Sequence, residues 1–325
     1  MSDINYGVYA ARMVPREELF SKGHRACQGC IPALMLRQIT KATGSDLIVC
    51  NATGCMEIIA SPYPFNAWKV PWIHVAFENA AVVASGVSAG IEVLKRKGRH
   101  FHDRKKKIAV MGIGGDGATM DIGLQALSGA LERGSDMFYV CYDNEAYMNT
   151  GIQRSSGTPF GASTTTSPAG KKISGQVTWK KNLAEIAAAH DIPYVATACP
   201  SYPFDLMRKV KHAAQVNGPA VLHVFAPCPT GWRCAGDAGI RLGRMAVESG
   251  IFPLYEVIDG KYKINLDIET VKKTVEDPLA EMTEYLFQQG RFSHLKQKQE
   301  LLDIIGKRVM AQWKTLKDKA EMTNV

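Results

Sequence analysis

No run in this sequence is apolar for long enough to cross a bilayer, so no membrane-spanning helix is expected. The N-terminus, MSDINYGVYAARMVPREE, lacks the apolar core of a signal peptide, which makes a cytoplasmic location the expectation. Aromatic and basic residues are not interleaved, and no recognised nucleic-acid module is present. The net charge of +8 therefore does not read as a nucleic-acid footprint. The basic residues are dispersed, with clusters at 105–107, 171–172 and the C-terminus. That balance fits an acidic protein partner better, although a solvated surface explains any single cluster. A second C-x-x-C pair is also missing: Cys27 and Cys30 form one, and the other cysteines are scattered. In a cytoplasmic chain eight cysteines favour buried thiols or metal binding over disulfides. One such pair reads as a redox dithiol, half a zinc site or part of an iron–sulfur site. A thioredoxin-like role is disfavoured because the preceding segment is not an apolar strand, and zinc would need two further ligands.

What is present is ordinary globular composition: 325 residues, 46% hydrophobic and 22% charged, enough to bury a substantial core. The chain is organised around residues 108–149. Ile108 to Met111 reads as a buried strand. Gly112, Gly114, Gly115 and Gly117 read as a turn outside regular structure, where φ > 0 and close backbone approach are permitted. Leu124, Leu127 and Leu131 recur at helical spacing, and Met137 to Tyr142 is a second strand ended by Asp143-Asn144. In a β-α-β unit both loops after the strands lie on one sheet edge, so Asp116 and Asn144 are expected to meet. A carboxylate and an amide oxygen in a glycine loop at a helix N-terminus suit a divalent cation and a diphosphate. The competing reading is a plain Rossmann-like turn whose Asp caps a helix.

The order GDG, helix, strand, Asn resembles the thiamine-diphosphate (TPP) binding motif. The fuller text, GDGATMDIGLQALSGALERG and YDNEAYMNTGIQRSS, resembles the β subunit of 2-oxoacid:ferredoxin oxidoreductases of the pyruvate type. The resemblance runs from about Gly23 to Trp232, with a weaker echo in EYLFQQGRFSHL. It implies a three-layer α/β/α fold with a mainly parallel sheet and a helical C-terminal extension. It also implies roles. Asp116, Asn144 and the carbonyl of Ala146 would be Mg²⁺ ligands. Thr53, Gly54, Cys55, Gly115, Gly117, Ala118, Tyr147 and Met148 would line TPP, and Asn149 would face the reacting carbon. Cys27, Cys30, Cys55 and Cys228 would hold one [4Fe–4S] cluster. Cys228, in the turn Pro227-Cys228-Pro229, follows a strand and so shares the sheet edge with the others. Cys234 is its nearby competitor, whereas Cys50, Cys141 and Cys199 read as buried thiols. Ile31 and Ala118 stand where relatives commonly carry Gly.

The remaining chain divides into an N-terminal arm, 1–22, a cofactor domain, 23–234, and a C-terminal extension, 235–325. Pro15 to Glu18 reads as a short helix start. Pro32 opens a helix carrying Leu34, Leu36 and Ile39. Residues 47–60 read as strand, turn and helix, and 61–79 as an irregular aromatic loop, with His74 a satisfied core residue. The helix from Asn79 is rich in Ala and Gly, which suits tight contact with another helix or subunit. Residues 150–178, rich in Gly, Ser and Thr, read as a lid over the cofactor. Further helix–strand repeats end with Ala220 to Phe225, and Asp259-Gly260 is the turn of a hairpin. The helical end reads as an arm packing on another subunit.

The implied activity is TPP-dependent oxidative decarboxylation of a 2-oxoacid, with electrons leaving through the cluster and the acyl group usually passing to coenzyme A. Pyruvate is the default substrate; phenylglyoxylate, other aromatic or branched-chain 2-oxoacids and oxalate are alternatives. The implied partners are an α subunit supplying the Glu for the TPP pyrimidine ring, a ferredoxin-like δ subunit, a γ subunit in some assemblies, and ferredoxin or another acceptor. A non-redox TPP decarboxylase or synthase subunit would need no four-cysteine site. An electron-transfer module without thiamine chemistry would not need Asp116, Asn144 and Asn149.

Overall fold

A computed structural model describes residues 14–99, 106–268 and 278–323. One eight-stranded sheet runs in the order β2-β1-β3-β4-β6-β5-β7-β8. Six strands are parallel: β1 (Leu47–Ala52), β2 (Trp72–Val75), β3 (Ala109–Gly115), β4 (Phe138–Asp143), β5 (Tyr194–Ala198) and β6 (Ala220–Phe225). The hairpin β7 (Tyr255–Ile258) and β8 (Lys261–Ile264) continues the same sheet antiparallel to β5. Asp259 and Gly260 both take positive φ at its tip, as a tight hairpin turn requires.

Every residue of β4, β5 and β6 is buried, which is why these strands are apolar runs rather than alternating ones. On one face Met111, Phe138, Val140 and Leu222 meet α1 (Ile31–Thr43) and α6 (Pro203–Gln215), through Met35, Leu36, Leu206 and Val210. On the other, Val110, Tyr139, Cys141 and Val221 meet α3 (Ala80–Arg96), α4 (Leu124–Glu132) and α5 (Leu183–Ala188). This is the three-layer α/β/α arrangement. A third apolar cluster gathers Phe225 and Trp232 with α8 (Gly239–Glu248), α9 (Pro278–Phe287) and α10 (Gln299–Thr323). None of the described helices is long and apolar enough to cross a membrane.

Four expectations change and a fifth is narrowed. Gly112, Gly114 and Gly115 belong to β3, and neither they nor Gly117 takes positive φ. Space is the reason: a Cβ on Gly112 or Gly114 would stand 2.7 Å from the buried Tyr139 side chain of β4. Pro15 to Glu18 forms no helix. Instead Glu18 pairs with Arg37 at 2.6 Å and Lys41 at 2.9 Å, and Lys41 donates to the carbonyl of Pro15, so the segment lies extended along α1. Residues 61–79 contain β2, at the sheet edge, so they are not irregular throughout. His74 sits half-exposed on that edge strand rather than in the core. Finally, α10 buries Leu302, Ile305, Val309, Trp313 and Leu316 against its own chain, leaving only its other face for a partner.

Candidate active site at the carboxyl edge of the parallel strands

Parallel strands deliver their following loops to one edge, and most of the singled-out residues lie there. Asp116 follows β3 and is fully buried; Asn144 and Ala146 follow β4. The side-chain oxygen of Asn144 lies 3.0 Å from a carboxylate oxygen of Asp116 and 3.0 Å from the carbonyl oxygen of Ala146. Turning the amide over would place its NH₂ there as a donor to both. The turned orientation satisfies the hydrogen bonding, and the Asn144 side chain thus stands between Asp116 and Ala146. A carboxylate, a side-chain amide and a backbone carbonyl brought together are oxygen donors of the kind that would suit Mg²⁺.

Burial, with the nearby Asp143 charge, holds the Asp116 carboxyl well above the usual carboxylate range, while Ser155, which donates a hydrogen bond to it, pulls the other way. A neighbouring cation would remove that cost. Ser155, Ser156 and Thr158 of the Gly/Ser/Thr-rich segment are buried against this loop: Ser156 N–H donates to Asp121 at 3.1 Å, and Thr158 to the carbonyl of Glu145 at 2.8 Å. The segment contains neither helix nor strand.

The glycine approaches are specific. A Cβ on Gly117 would lie 2.3 Å from the Tyr147 ring, whose hydroxyl donates to Asp121 at 2.8 Å. Gly54 has φ of +152°, and a Cβ there would meet the Tyr142 hydroxyl at 2.7 Å. Thr53 is tied to His74 at 2.7 Å, and Cys55 opens the short helix Cys55–Ile58. Ala118 is buried at the start of a π-helical turn, Ala118–Ile122, a form often found at functional sites. Met148 packs on Gly231, and Asn149 stands exposed on the turn that follows.

The four singled-out cysteines converge. Burial pushes the Cys30 and Cys55 thiols up to about 12, and negative charge on Cys228 and Cys27 adds to the effect on both. Cys234 feels Cys228 alone of the four. Cys50, Cys141 and Cys199 are fully buried. Among the described residues no three His, Cys, Asp or Glu side chains come together closely enough for a single metal ion. The four thiols nonetheless lie within electrostatic reach of one another, and four cysteines are the donor type an iron–sulfur cluster would take.

The family model for the C-terminal TPP-binding domain of thiamine pyrophosphate enzymes matches residues 52–224. Pyruvate synthase subunit PorB of Methanocaldococcus jannaschii is 56% identical over 86% of this chain and 91% of its own. The chain belongs to the β subunits of the 2-oxoacid:ferredoxin oxidoreductases. Ketoisovalerate oxidoreductase subunit VorB of Pyrococcus abyssi is 46% identical over 95% of this chain and 96% of its own. The 2-oxoglutarate:ferredoxin oxidoreductase of Magnetococcus marinus shares the fold, with a TM-score of 0.54 at 20% identity over 71% of this chain and 80% of that one.

In this β subunit the sequence reading missed what aims Asn144. Asp143 and Glu145, on either side of it, both turn to Lys180, whose ammonium lies 2.5 Å from one carboxylate and 2.9 Å from the other. His223 of β6 meets Asp143 at 2.6 Å, and Arg291 meets Glu145 while lying 4.0 Å over the Trp232 ring. Trp232 donates from its indole to the backbone carbonyl of Asn144 at 2.9 Å. Burial raises the Asp143 pKa, but Lys180 and His223 outweigh it and the carboxyl ends below its ordinary range. Arg291 does fall in the C-terminal echo of the family text, so a signal for it existed. At the departures, Ile31 fills the space a Cβ on Gly239 would need, and Ala118 contacts the space beside Gly114.

Proposed function

We propose that this chain is the TPP- and cluster-bearing subunit of a complex that oxidatively decarboxylates pyruvate, with coenzyme A as acyl acceptor. The Asp116–Asn144–Ala146 oxygen set carries the reading. Those three groups would hold Mg²⁺ and, through it, the diphosphate. Bound TPP supplies the electron sink for loss of CO₂. The Thr53-Gly54-Cys55 turn and the loop at Gly117 would lie against the cofactor, Tyr147 and Met148 would wall it, and Asn149 would face the reacting carbon. Cys27, Cys30, Cys55 and Cys228 would hold a [4Fe–4S] cluster, a one-electron acceptor.

The carboxylic acid that sets the pyrimidine tautomer would come from an α subunit. Within this chain the buried Glu57 carboxylate is engaged by Ser61 and stands 3.7 Å from His74. A ferredoxin-like subunit would carry electrons onward to ferredoxin. A branched-chain 2-oxoacid is the second reading, because the ketoisovalerate enzyme subunit matches nearly the whole chain. The test is anaerobic copurification with partners, iron and sulfide analysis, and a dye-coupled panel of pyruvate, 2-ketoisovalerate and phenylglyoxylate. Pyruvate should give the highest kcat/KM, and Cys228→Ala, unlike Cys234→Ala, should lose iron. Zinc in place of iron, or full activity from this chain alone with TPP and Mg²⁺, would overturn the assignment.

A further inference from the structure

A cavity of about 440 Å³ opens between the 159–185 segment, residues 250–255 and α10. Glu145, Lys180 and His223 line it; Asp116, Asn144 and Ala146 do not. It is thus a separate space that shares a wall with the segment aiming Asn144. Its size falls in the range of small-molecule pockets.

Two features define what it would take. The walls are aromatic and aliphatic: Trp179 stacks on Phe160 at 4.6 Å between centroids, and Phe252, Phe292 and Ile305 join them. The charged groups are unbalanced, with four basic side chains, Lys180, Lys181, Arg308 and Lys319, against the carboxylates Glu145 and Glu185. Lys180 is engaged by Asp143 and Glu145, Lys319 by Glu185, and Lys181 by the Met120 carbonyl and Asp121. Arg308 is exposed and lies 5.5 Å over the Trp179 ring, with no ion pair among the described residues. A flat apolar body would lie against Trp179 and Phe292, and an anionic group would meet Arg308.

We propose that this cavity binds a small carboxylate with an aromatic or branched apolar body, and that its occupancy weakens ligand binding at the Asp116–Asn144–Ala146 oxygens. The coupling half rests on the proposed Mg²⁺ and TPP assignment of those oxygens. An anion held at Arg308 adds negative charge to the cavity that Lys180 and Glu145 also line, and so disturbs the contacts of Lys180 with Asp143 and Glu145. Both of these carboxylates flank Asn144, so relaxing their hold frees the amide that the cation needs. The site therefore acts as an inhibitory one for carboxylic acids with a larger apolar body than pyruvate.

The purified complex tests this with anilinonaphthalene sulfonate, a fluorescent aromatic anion, displaced by phenylacetate. The expected result is one displaceable probe per chain, lost in Ile305→Trp, which fills the cavity, and weakened about tenfold in Arg308→Ala. Lys314→Ala, exposed on the same helix and outside the cavity, should change nothing. Saturating phenylacetate should raise the calorimetric Kd for TPP about fivefold in wild type and leave it unchanged in Arg308→Ala. A probe signal equal in wild type, Ile305→Trp and Arg308→Ala overturns the proposal. So does displaceable binding that leaves TPP affinity untouched. Failure of the unliganded wild-type complex to bind TPP at all would strike the proposed function instead, with the probe titration still deciding whether the cavity binds.

Discussion

Two buried charge networks flank the same sheet, and they are built to opposite ends. The one beyond β5 and β7 is closed. Glu256 accepts from Tyr194 at 2.7 Å, from Arg208 at 3.0 and 2.7 Å, and from Asn265 at 2.6 Å. Its neighbour Lys209, fully buried, is spent on Asp205 and the Thr197 carbonyl. Every charge there has an opposite charge or a full set of hydrogen bonds. The network beyond β3 and β4 pairs Asp143 and Glu145 with Lys180, His223 and Arg291 but leaves the buried Asp116 with no ion pair among the described residues, held only by hydrogen bonds from Ser155 and the Asn144 amide. A buried network whose charges are all paired is structural; one that leaves a buried carboxylate without an opposite charge has a place for a cation. The difference teaches that burial of charge alone does not mark a functional site, whereas an unbalanced remainder does.

The sharpest way to break the comparison is Asp116→Asn. TPP binding in the presence of Mg²⁺ should fall by more than about a hundredfold, because the only charged member of the oxygen set is gone. The metal-free chain should gain stability. The folded-state pKa of Asp116 lies above its ordinary value, so its favourable contribution is present at low pH and is lost as pH rises through that value. At neutral pH a neutral isostere removes that penalty, and Tm should rise. Calorimetry for TPP and thermal scans of the metal-free protein read both. A lower Tm would show that Asp116 is satisfied without a cation.

Lys180→Met comes next. It leaves Asp143 and Glu145 buried with less compensation, and breaking a buried pair in this way costs about 3–5 kcal/mol. TPP affinity should also drop about tenfold, because the carboxylates that orient Asn144 lose their common partner. Denaturant unfolding and calorimetry should move together. A stability loss with intact TPP affinity would detach this network from the site.

Glu256→Gln is the counterpart in the closed network. Burial would raise this carboxyl, but Arg208 and Tyr194 more than offset it, leaving its pKa at about 2 against an ordinary 4.5. Its contribution is therefore present above the ordinary value and is lost as pH falls toward 2. From about 1.4 kcal/mol per unit it is worth about 3 kcal/mol at neutral pH. The variant should lose that much stability and keep wild-type TPP affinity. A changed TPP affinity would erase the distinction between the networks.

The two networks were unequally legible in the sequence. Asp116 and Asn144 follow two apolar strands, and parallel-strand geometry sends both loops to one edge, so their meeting could be read from spacing. The glycines of β3 could not: Gly112 and Gly114 serve Tyr139 on the next strand, a contact that local patterning does not encode. Lys180 is indistinguishable from Lys181 beside it, and its partners lie more than 30 residues away. Arg291 and Glu145 are 146 residues apart. His223 and Glu256 offered a local hint, since each is a polar residue in an otherwise apolar strand and so calls for a buried partner. The hint gives the need without the identity.

Glu18 makes the smallest and most discriminating case. Like Glu256 it is held near 2, here first by the hydrogen bond from Arg37, with burial opposing and Lys41 assisting. The sign is the same: its contribution is present above about 4.5 and is lost as pH falls toward 2. The surroundings differ, because the Arg37 side chain is 52% exposed. Water screens that pair, and holding two long side chains in one geometry costs entropy. Glu18→Gln should therefore cost under about 1 kcal/mol, and less in high salt, although its pKa matches that of Glu256. Chemical denaturation of both variants at low and high ionic strength measures the gap. Equal losses would mean that the pKa alone, rather than solvent access to the partner, sets what such a carboxylate contributes.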